Sequence, residues 1–466
     1  MVTNLSTDLA DRIKDATGEN VFLCYHCVKC TSGCPLVDHF DLSPNQIMRA
    51  AQLGMEDMIF QSKTPWLCAS CQTCTTRCPQ GIDIAKVMDF IVSEAIENDI
   101  ESPVPEVEMF NKVFLRDIKI LGRSFELGLM GEMMLRTRDF FSDLDLGFEM
   151  FKRRKIKILP DVVRRHRPKR SIAPASRPPS EIGYYPGCSL HAMAEEFNTS
   201  TLAILEALHL HPVEPEGWIC CGSTPAHRVD HKIATQLPIE NLIMYEQEGL
   251  TELALPCASC FSRFRAAARD FRLDPDLKKE ITKDIGYEYQ DSITIYSLVD
   301  FINQRVGTDQ VKENVTRPLE GLKVACYYGC LLTRPPIVTG TDPSEAEYPM
   351  AMDRIMKALG ATPIDWDSKV CCCGAAHSLT RTDIVYEMSG KILENAKIRG
   401  ADVVVVACPL CHMNLDGRQI QMKPRPDMPV LYFTQLMSLA YGMEDKAALG
   451  RNLIDPRPLL KEKGLL

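Results

Sequence analysis

Histidine and tryptophan are scarce in this chain, with ten and three in 466 residues, and several signals are missing altogether. No uncharged apolar run reaches about 18 residues, which predicts no integral membrane segment. The opening MVTNLSTDLADRIKD carries acids at Asp8, Asp11 and Asp15 and no apolar core, so no secretory signal is expected. Positive charge is not in excess: 53 Lys and Arg face 62 Asp and Glu, for a net charge of −9. A nucleic-acid binder is usually basic, so no nucleic-acid partner is expected. No G-x-G-x-x-G follows a strand and no Walker A loop occurs, so the chain should hold no flavin or nicotinamide of its own. At 45% hydrophobic and 25% charged residues the composition excludes disorder and low-complexity classes. The length predicts about two to four domains.

Cysteine is what the chain has in quantity, 20 in all. Disulfide scaffolds are mostly short secreted chains, whereas a cytoplasmic chain rich in reduced thiols more often binds metal. The spacing supports metal. Residues 24–35 read CYHCVKCTSGCP and residues 68–79 read CASCQTCTTRCP. Each is the C-x₂-C-x₂-C-x₃-C-P run of two-cluster bacterial ferredoxins, in which the fourth cysteine serves the other cluster. That pattern implies one cubane [4Fe–4S] cluster on Cys24, Cys27, Cys30 and Cys78, and a second on Cys68, Cys71, Cys74 and Cys34. Structural zinc prefers two C-x₂-C knuckles and fits these runs poorly. Ser43-Pro44 should open a short helix, with Met48, Met55 and Met58 filling core.

Residues 106–151 read as a helical extension in which Phe110, Val113, Phe114, Ile118 and Leu121 share a stripe. They are expected to pack on the ferredoxin block or on a partner, with membrane-surface binding as the lesser reading. Residues 152–181 then carry 11 Lys and Arg, two acids and five prolines. This composition predicts an extended basic linker and a domain boundary.

Beyond the linker the cysteines repeat in a different style. The first copy holds Cys188, then Cys220-Cys221-Gly222, then Cys257-x-x-Cys260; the second holds Cys330, then Cys371-Cys372-Cys373-Gly374, then Cys408-x-x-Cys411. The offset is 142 residues from Cys188 to Cys330 and 151 from Cys257 to Cys408, which a duplicated domain explains. EIGYYPGC, TELALPC, LKVACYYGC and ADVVVVAC read as buried parallel strands with cysteine at their C-terminal ends. Open α/β sheets bind ligands beyond those ends. The expected fold is therefore mixed: an N-terminal α-helical two-[4Fe–4S] ferredoxin-like domain, then duplicated α/β domains. The expected boundaries are 1–105, 106–151, 152–181, 182–310, 320–440 and a C-terminal tail over 441–466.

The pattern C…CCG…C-x-x-C is similar to that of CCG domains. Two of them behind a two-cluster ferredoxin block resemble heterodisulfide reductase, with its C-type, ferredoxin-like subunit fused ahead of its B-type, catalytic one. CYYGCLLTRPP in the second copy is especially like the B-type subunit. The resemblance implies two non-cubane [4Fe–4S] clusters: one on Cys188, Cys220, Cys221, Cys257 and Cys260, the other on Cys330, Cys372, Cys373, Cys408 and Cys411. Cys371 is the alternative ligand, because counting back from Cys408 with the first copy's gap selects Cys371 and Cys372. It also implies a cytoplasmic subunit that reductively cleaves a small disulfide of the coenzyme M–coenzyme B kind, as in methanogenesis. The implied partners are an electron donor resembling the family's flavin-containing subunit, with hydrogenase or formate dehydrogenase behind it. His227 and His377, shortly after each CCG, are candidate proton donors to the product thiolates. Cys326 reads as a buried spare thiol. The competing reading is an iron–sulfur electron-transfer subunit of a glycolate, lactate or glycerol-3-phosphate type dehydrogenase, or of another related complex without disulfide chemistry.

Overall fold

The computed structural model describes residues 8–138, 143–163, 165, 168 and 177–466. In the N-terminal block, helix α1 (Pro44–Gln52) begins where Ser43-Pro44 predicts, and Gln46 Oε1 accepts the Ser43 N–H at 2.8 Å. Met48 is buried, but Met55 and Met58 are exposed, contrary to the sequence expectation. The short helix beside them buries Ile59 and Phe60 instead. Helix α2 (Ile84–Glu97) is capped by Asp83, which accepts from Lys86 N–H at 3.0 Å. Its Val87, Met88, Ile91, Val92 and Ala95 form the buried stripe that closes this block.

Three helices make up the extension: α3 (Pro105–Leu121), α4 (Glu126–Thr137) and α5 (Leu144–Lys152). Val113, Phe114 and Ile118 of α3 are buried as predicted, against a surface the sequence did not suggest. They pack on Ile219, Cys220, Ala226 and Leu237 of the first cysteine-rich copy. The Gly122 carbonyl, just past α3, accepts the Cys220 N–H at 2.9 Å. The stretch after α5 is not simply a solvated linker either. Lys155 is buried and paired with Glu196. Much of the basic Pro-rich run, including 169–176, lies outside the described residues.

Each cysteine-rich copy is built on a four-stranded, all-parallel sheet. The first contains β1 (Glu181–Tyr184), β2 (His211–Val213), β3 (Glu252–Leu255) and β4 (Thr294–Ser297) in the order β2-β1-β3-β4. The second contains β5 (Lys323–Tyr327), β6 (Thr362–Pro363), β7 (Val403–Val406) and β8 (Val430–Tyr432) in the matching order β6-β5-β7-β8. The strands read from sequence are β1, β3, β5 and β7, the four that carry the motifs. The flanking strands have two to four residues, too few to show a period. Each strand order reverses between the first and third strands of its copy, the place where such sheets open a crevice.

Helices α6 (Ser223–Val229), α7 (His231–Gln247) and α8 (Ala258–Leu273) cover the first sheet; α9 (Thr382–Ile398) and α10 (Pro409–Asp416) belong to the second. The copies share one continuous core. At their seam Phe197 stacks on Tyr432 at 4.1 Å, and Ser200 Oγ lies 2.6 Å from Thr434 Oγ1. Residues 441–466, expected as a tail, are part of that core: Leu449 and Leu460 are buried, and the Asp416 carboxylate accepts from Leu453 and Ile454 N–H.

Candidate functional site

The switch point of each sheet carries its cysteines. Cys188 follows β1 and Cys257 directly precedes α8 after β3; Cys330 follows β5 and Cys408 directly precedes α10 after β7. Gly187 and Gly329, each one residue before a cysteine, adopt φ of +72° and +69°. A Cβ on either would meet the thiol of Cys260 at 3.1 Å or Cys411 at 3.2 Å. Only glycine turns the chain there without crowding the sulfur. Within each group the thiols converge: Cys221 Sγ is 3.3 Å from Cys260 Sγ, and Cys373 Sγ is 3.5 Å from Cys411 Sγ. Cys220 meets Cys188, and Cys372 meets Cys330. The two groups touch across the seam through Cys257 and Cys408.

Tyr185 and Tyr327 hold the CCG segments from equivalent places. The Tyr185 hydroxyl donates to the Ile219 carbonyl at 2.8 Å, and the Tyr327 hydroxyl to the Cys371 carbonyl at 2.6 Å. Cys371 is thus the structural counterpart of Ile219. It is exposed, while Cys372 and Cys373 are buried in the counterpart positions of Cys220 and Cys221. Cys326 is buried on β5, away from the other thiols of its copy.

In the ferredoxin block, Cys34 lies among Cys68, Cys71 and Cys74, while Cys78 lies near Tyr25 and Cys27 at the other run. Cys34 thus has Cys68 and Cys71 as well as Cys30 of its own run for neighbours, and Cys27 and Cys78 both flank Tyr25. Cys71 reaches the second cysteine-rich copy directly: contact with Cys372, together with burial, raises its thiol pKa well above the usual range. Cys27, by contrast, is exposed. Its chain neighbours Phe22, Leu23, Tyr25 and Val28 present apolar surface.

All ten cysteines of the two five-thiol groups line one cavity of about 600 Å³. Its outer wall comes from the helical extension, with Phe110 and Phe114 of α3, Met130 and Met134 of α4, and Leu146, Phe148 and Met150 of α5. The wall is overwhelmingly apolar. Its charged groups are committed elsewhere: Lys155 to Glu196, Lys157 to Asp161 and Arg418 to Asp143. Burial raises the carboxyl of Glu126, also in the wall, to about 7.

Neither His227 nor His377 is among the residues lining this cavity. His227 Nδ1 donates to Asp89 of α2 at 2.8 Å, and His377 Nε2 donates to the Leu67 carbonyl at 2.9 Å. Burial lowers the pKa of both rings, that of His377 to about 4, with Arg228 adding to the effect there. Each is thus a neutral tie to the ferredoxin block and stands outside the cavity lining. Two buried arginines complete the clasp: Arg334 belongs to the CYYGCLLTRPP segment, whereas Arg228 carried no motif signal. Arg228 donates to the carbonyls of Pro65, Trp66 and Cys68, and Arg334 donates to Thr73 Oγ1 at 2.9 Å and to the Val370 carbonyl at 2.9 Å.

The thiol groups suit iron–sulfur clusters: four thiols in each ferredoxin group, and five converging on each switch point. Among the described residues, no helix is long and apolar enough to cross a membrane. A 4Fe-4S dicluster domain model matches residues 23–83, and a cysteine-rich domain model matches residues 182–265 and 324–416. The 8-methylmenaquinol:fumarate reductase membrane anchor subunit of Wolinella succinogenes is 33% identical over 287 residues, covering 60% of this chain and 99% of that protein. The B-type subunit of the ferredoxin/F(420)H(2)-dependent CoB-CoM heterodisulfide reductase of Methanosarcina acetivorans is 28% identical over 287 residues, covering 59% of this chain and 94% of that protein. The C-type subunit of the H(2):CoB-CoM heterodisulfide,ferredoxin reductase of Methanothermobacter marburgensis is 31% identical over 100 residues, covering 22% of this chain and 54% of that protein.

Proposed function

Because the chain belongs to the cysteine-rich family that includes the B-type subunit of heterodisulfide reductase, with a dicluster block like the C-type subunit ahead of it, we propose that it reductively cleaves a disulfide inside the shared cavity. One observation carries this reading: the two five-thiol groups touch through Cys257 and Cys408 and line a single cavity. Cleavage takes one disulfide, two electrons and two protons to two thiols, so two adjacent sites can each receive one sulfur. The assignments are those the motifs imply. Cys24, Cys27, Cys30 and Cys78 hold one cubane, and Cys34, Cys68, Cys71 and Cys74 the other. Cys188, Cys220, Cys221, Cys257 and Cys260 hold one non-cubane cluster, and Cys330, Cys372, Cys373, Cys408 and Cys411 its partner. When bound, these clusters supply single electrons and iron that takes up sulfur.

The residues of the chain set direction and access. Exposed Cys27 and its apolar surround form the docking place for a flavoprotein electron donor. The Cys71–Cys372 contact is the handover from the ferredoxin block to the paired site. Arg228 and His377 hold that handover rigid by fixing the backbone carbonyls of 65–68, and Arg334 by holding the Thr73 hydroxyl. The apolar wall excludes water and favours a disulfide with an uncharged, apolar body over one with anionic ends, since among the described residues each cation of the wall is paired with a carboxylate. The same apolar lining, with the likeness to a menaquinol-linked subunit, favours a second reading in which a quinol occupies the cavity and the chain relays its electrons.

Anaerobic turnover of dialkyl disulfides with reduced viologen tests the first reading. Two thiols should form per disulfide, and Cys221→Ser should abolish turnover. Iron below about 12 atoms per chain would remove the four-cluster basis of the proposal. Oxidation of a short-chain quinol with its electrons passed to an oxidised dye, in place of any disulfide turnover, would establish the second reading.

A further inference from the structure

A disulfide that becomes two thiols, or a quinol that gives up its electrons, must exchange protons inside the cavity. His227 and His377 stand outside its lining. Cysteines apart, few ionisable side chains reach the wall, and nearly all of them are committed. Lys155, Lys157 and Arg418 pair with Glu196, Asp161 and Asp143. The Tyr185 hydroxyl donates to the Ile219 carbonyl and the Tyr328 hydroxyl to Asp353 Oδ2 at 2.7 Å. Burial holds both phenols well above their usual range. That leaves Glu126, which has no ion-pair partner among the described residues.

Glu126 is the first residue of α4. Its carboxylate accepts from the Met193 N–H and from the Ser189 hydroxyl. These donors fix the group in place without adding a charge. Burial works against the ionised form, the two bonds and the positive charges of Lys155 and Lys157 work for it, and the balance lies at about 7. Both lysines are shared with their own carboxylates, Glu196 and Asp161. His191, on the same turn as Ser189, is paired with Glu214 at 3.0 Å. A carboxyl balanced near neutrality can hold a proton and release it at ordinary pH. The residue is only half-buried, which leaves it a way to solvent.

We propose that Glu126 is the proton-transfer residue of the cavity. In disulfide cleavage, two electrons arriving through the ferredoxin block break the S–S bond and leave two thiolates. Glu126 gives its proton to one thiolate, is reprotonated from solvent water, and gives a second proton to the other. One disulfide, two electrons and two protons thus become two thiols. With a quinol the direction reverses: the Glu126 carboxylate takes up in turn the two protons lost with the two electrons and passes them to water. This rests on the cavity being the reaction site proposed above, but not on which substrate it takes.

The test compares the anaerobically purified, cluster-loaded chain with two variants. Glu126→Gln keeps an oxygen to accept from Ser189 and Met193 but cannot carry the proton; Glu126→Asp can. Infrared difference spectra between about pH 6 and about pH 8 should contain a carboxylic-acid band that Glu126→Gln removes, a readout that needs no turnover. Disulfide turnover with reduced viologen should fall above about pH 7, where the acid is ionised. Glu126→Gln should lose that inflection and about a hundredfold or more in kcat with KM unchanged, while Glu126→Asp keeps the inflection and part of the rate. Quinol turnover should show the opposite slope. Iron content and viologen-reduced cluster signals should be the same in all three proteins. Full turnover with an unchanged pH profile in Glu126→Gln, or an infrared band it does not remove, would overturn the proposal and leave the proposed reaction standing. Lower iron or a raised KM in place of the lost inflection would make Glu126 a structural residue and overturn it too. An unmodified chain that turns over neither substrate would overturn the reaction, and the proposal with it.

Discussion

The two cysteine-rich copies share a strand order, a pair of glycine turns and a tyrosine that ties down the CCG segment, yet their equivalent cysteines face different neighbours. Cys220 is packed beneath the helical extension, with its N–H held by the Gly122 carbonyl. Its counterpart Cys372 touches Cys71 of the ferredoxin block. Duplication thus supplied two similar thiol cradles, and their surroundings made one the half covered by the helical extension and the other the half that meets the ferredoxin block. The neighbours, more than the ligands, divide the labour.

The most severe way to break that division is to remove the equivalent cysteines one at a time. Cys372→Ser should disconnect the paired site from the ferredoxin block, so that reduced ferredoxin-block signals persist in electron paramagnetic resonance and disulfide turnover stops. Cys220→Ser should leave the second copy reducible. If each variant lowers iron by about four atoms per chain and both block reduction of the second copy equally, the asymmetry is wrong.

Each copy also buries a lysine–carboxylate pair, Lys155 with Glu196 in the first and Lys369 with Asp353 in the second. Replacing Lys369 by alanine leaves the buried Asp353 carboxylate without its cation and should cost about 3–5 kcal/mol in denaturant unfolding, whereas in Lys155→Ala the Glu196 carboxylate keeps Arg451 Nε at 3.3 Å and the cost should be smaller. Only Lys155→Ala should also open the cavity wall, because Lys155 lines it and Lys369 does not. Faster quenching of the clusters by external oxidant in Lys155→Ala alone would sharpen the contrast.

A smaller effect separates the two histidines. His377 has its folded-state pKa depressed to about 4 from an unfolded value near 6.5. On acidification the unfolded chain takes up the proton first, so stability is full above about pH 6.5 and is lost as pH falls toward 4, by roughly 3 kcal/mol. His377→Asn should flatten the acid slope measured by thermal unfolding. His227→Asn should flatten it less, because Asp89 opposes the effect of burial there.

The cysteine framework could be read directly because cluster ligation imposes short, regular spacings, and because a cysteine after a buried strand marks a sheet's switch point. The register of the triplet needed structure. Gap lengths disagree by one residue between copies, and only the Tyr327 hydroxyl on the Cys371 carbonyl identifies Cys371 as the counterpart of Ile219. The role of the extension was hidden for another reason. A stripe such as Val113, Phe114 and Ile118 says that a helix is buried but not against what, and its partner lies about a hundred residues further on. The histidines misled because proximity to CCG in sequence is not proximity to the cavity; α6 and the turn after Gly374 carry both rings to the ferredoxin side. Arg228 donates to the backbone carbonyls of Pro65, Trp66 and Cys68, which leave no mark on side-chain patterns.

The meeting of Cys257 with Cys408 has one more consequence. Two half-sites on separate chains would assemble by mass action and, if encoded by one gene, would have to stay identical. Here they are tethered, at an effective concentration on the order of mM set by the connecting chain rather than by protein abundance. Dilution does not dissolve such a site, and each half is free to change alone. Ile219 and Cys371 occupy equivalent places and no longer match, a record of that freedom: symmetry built the chamber, and tandem linkage allowed its two walls to become unequal.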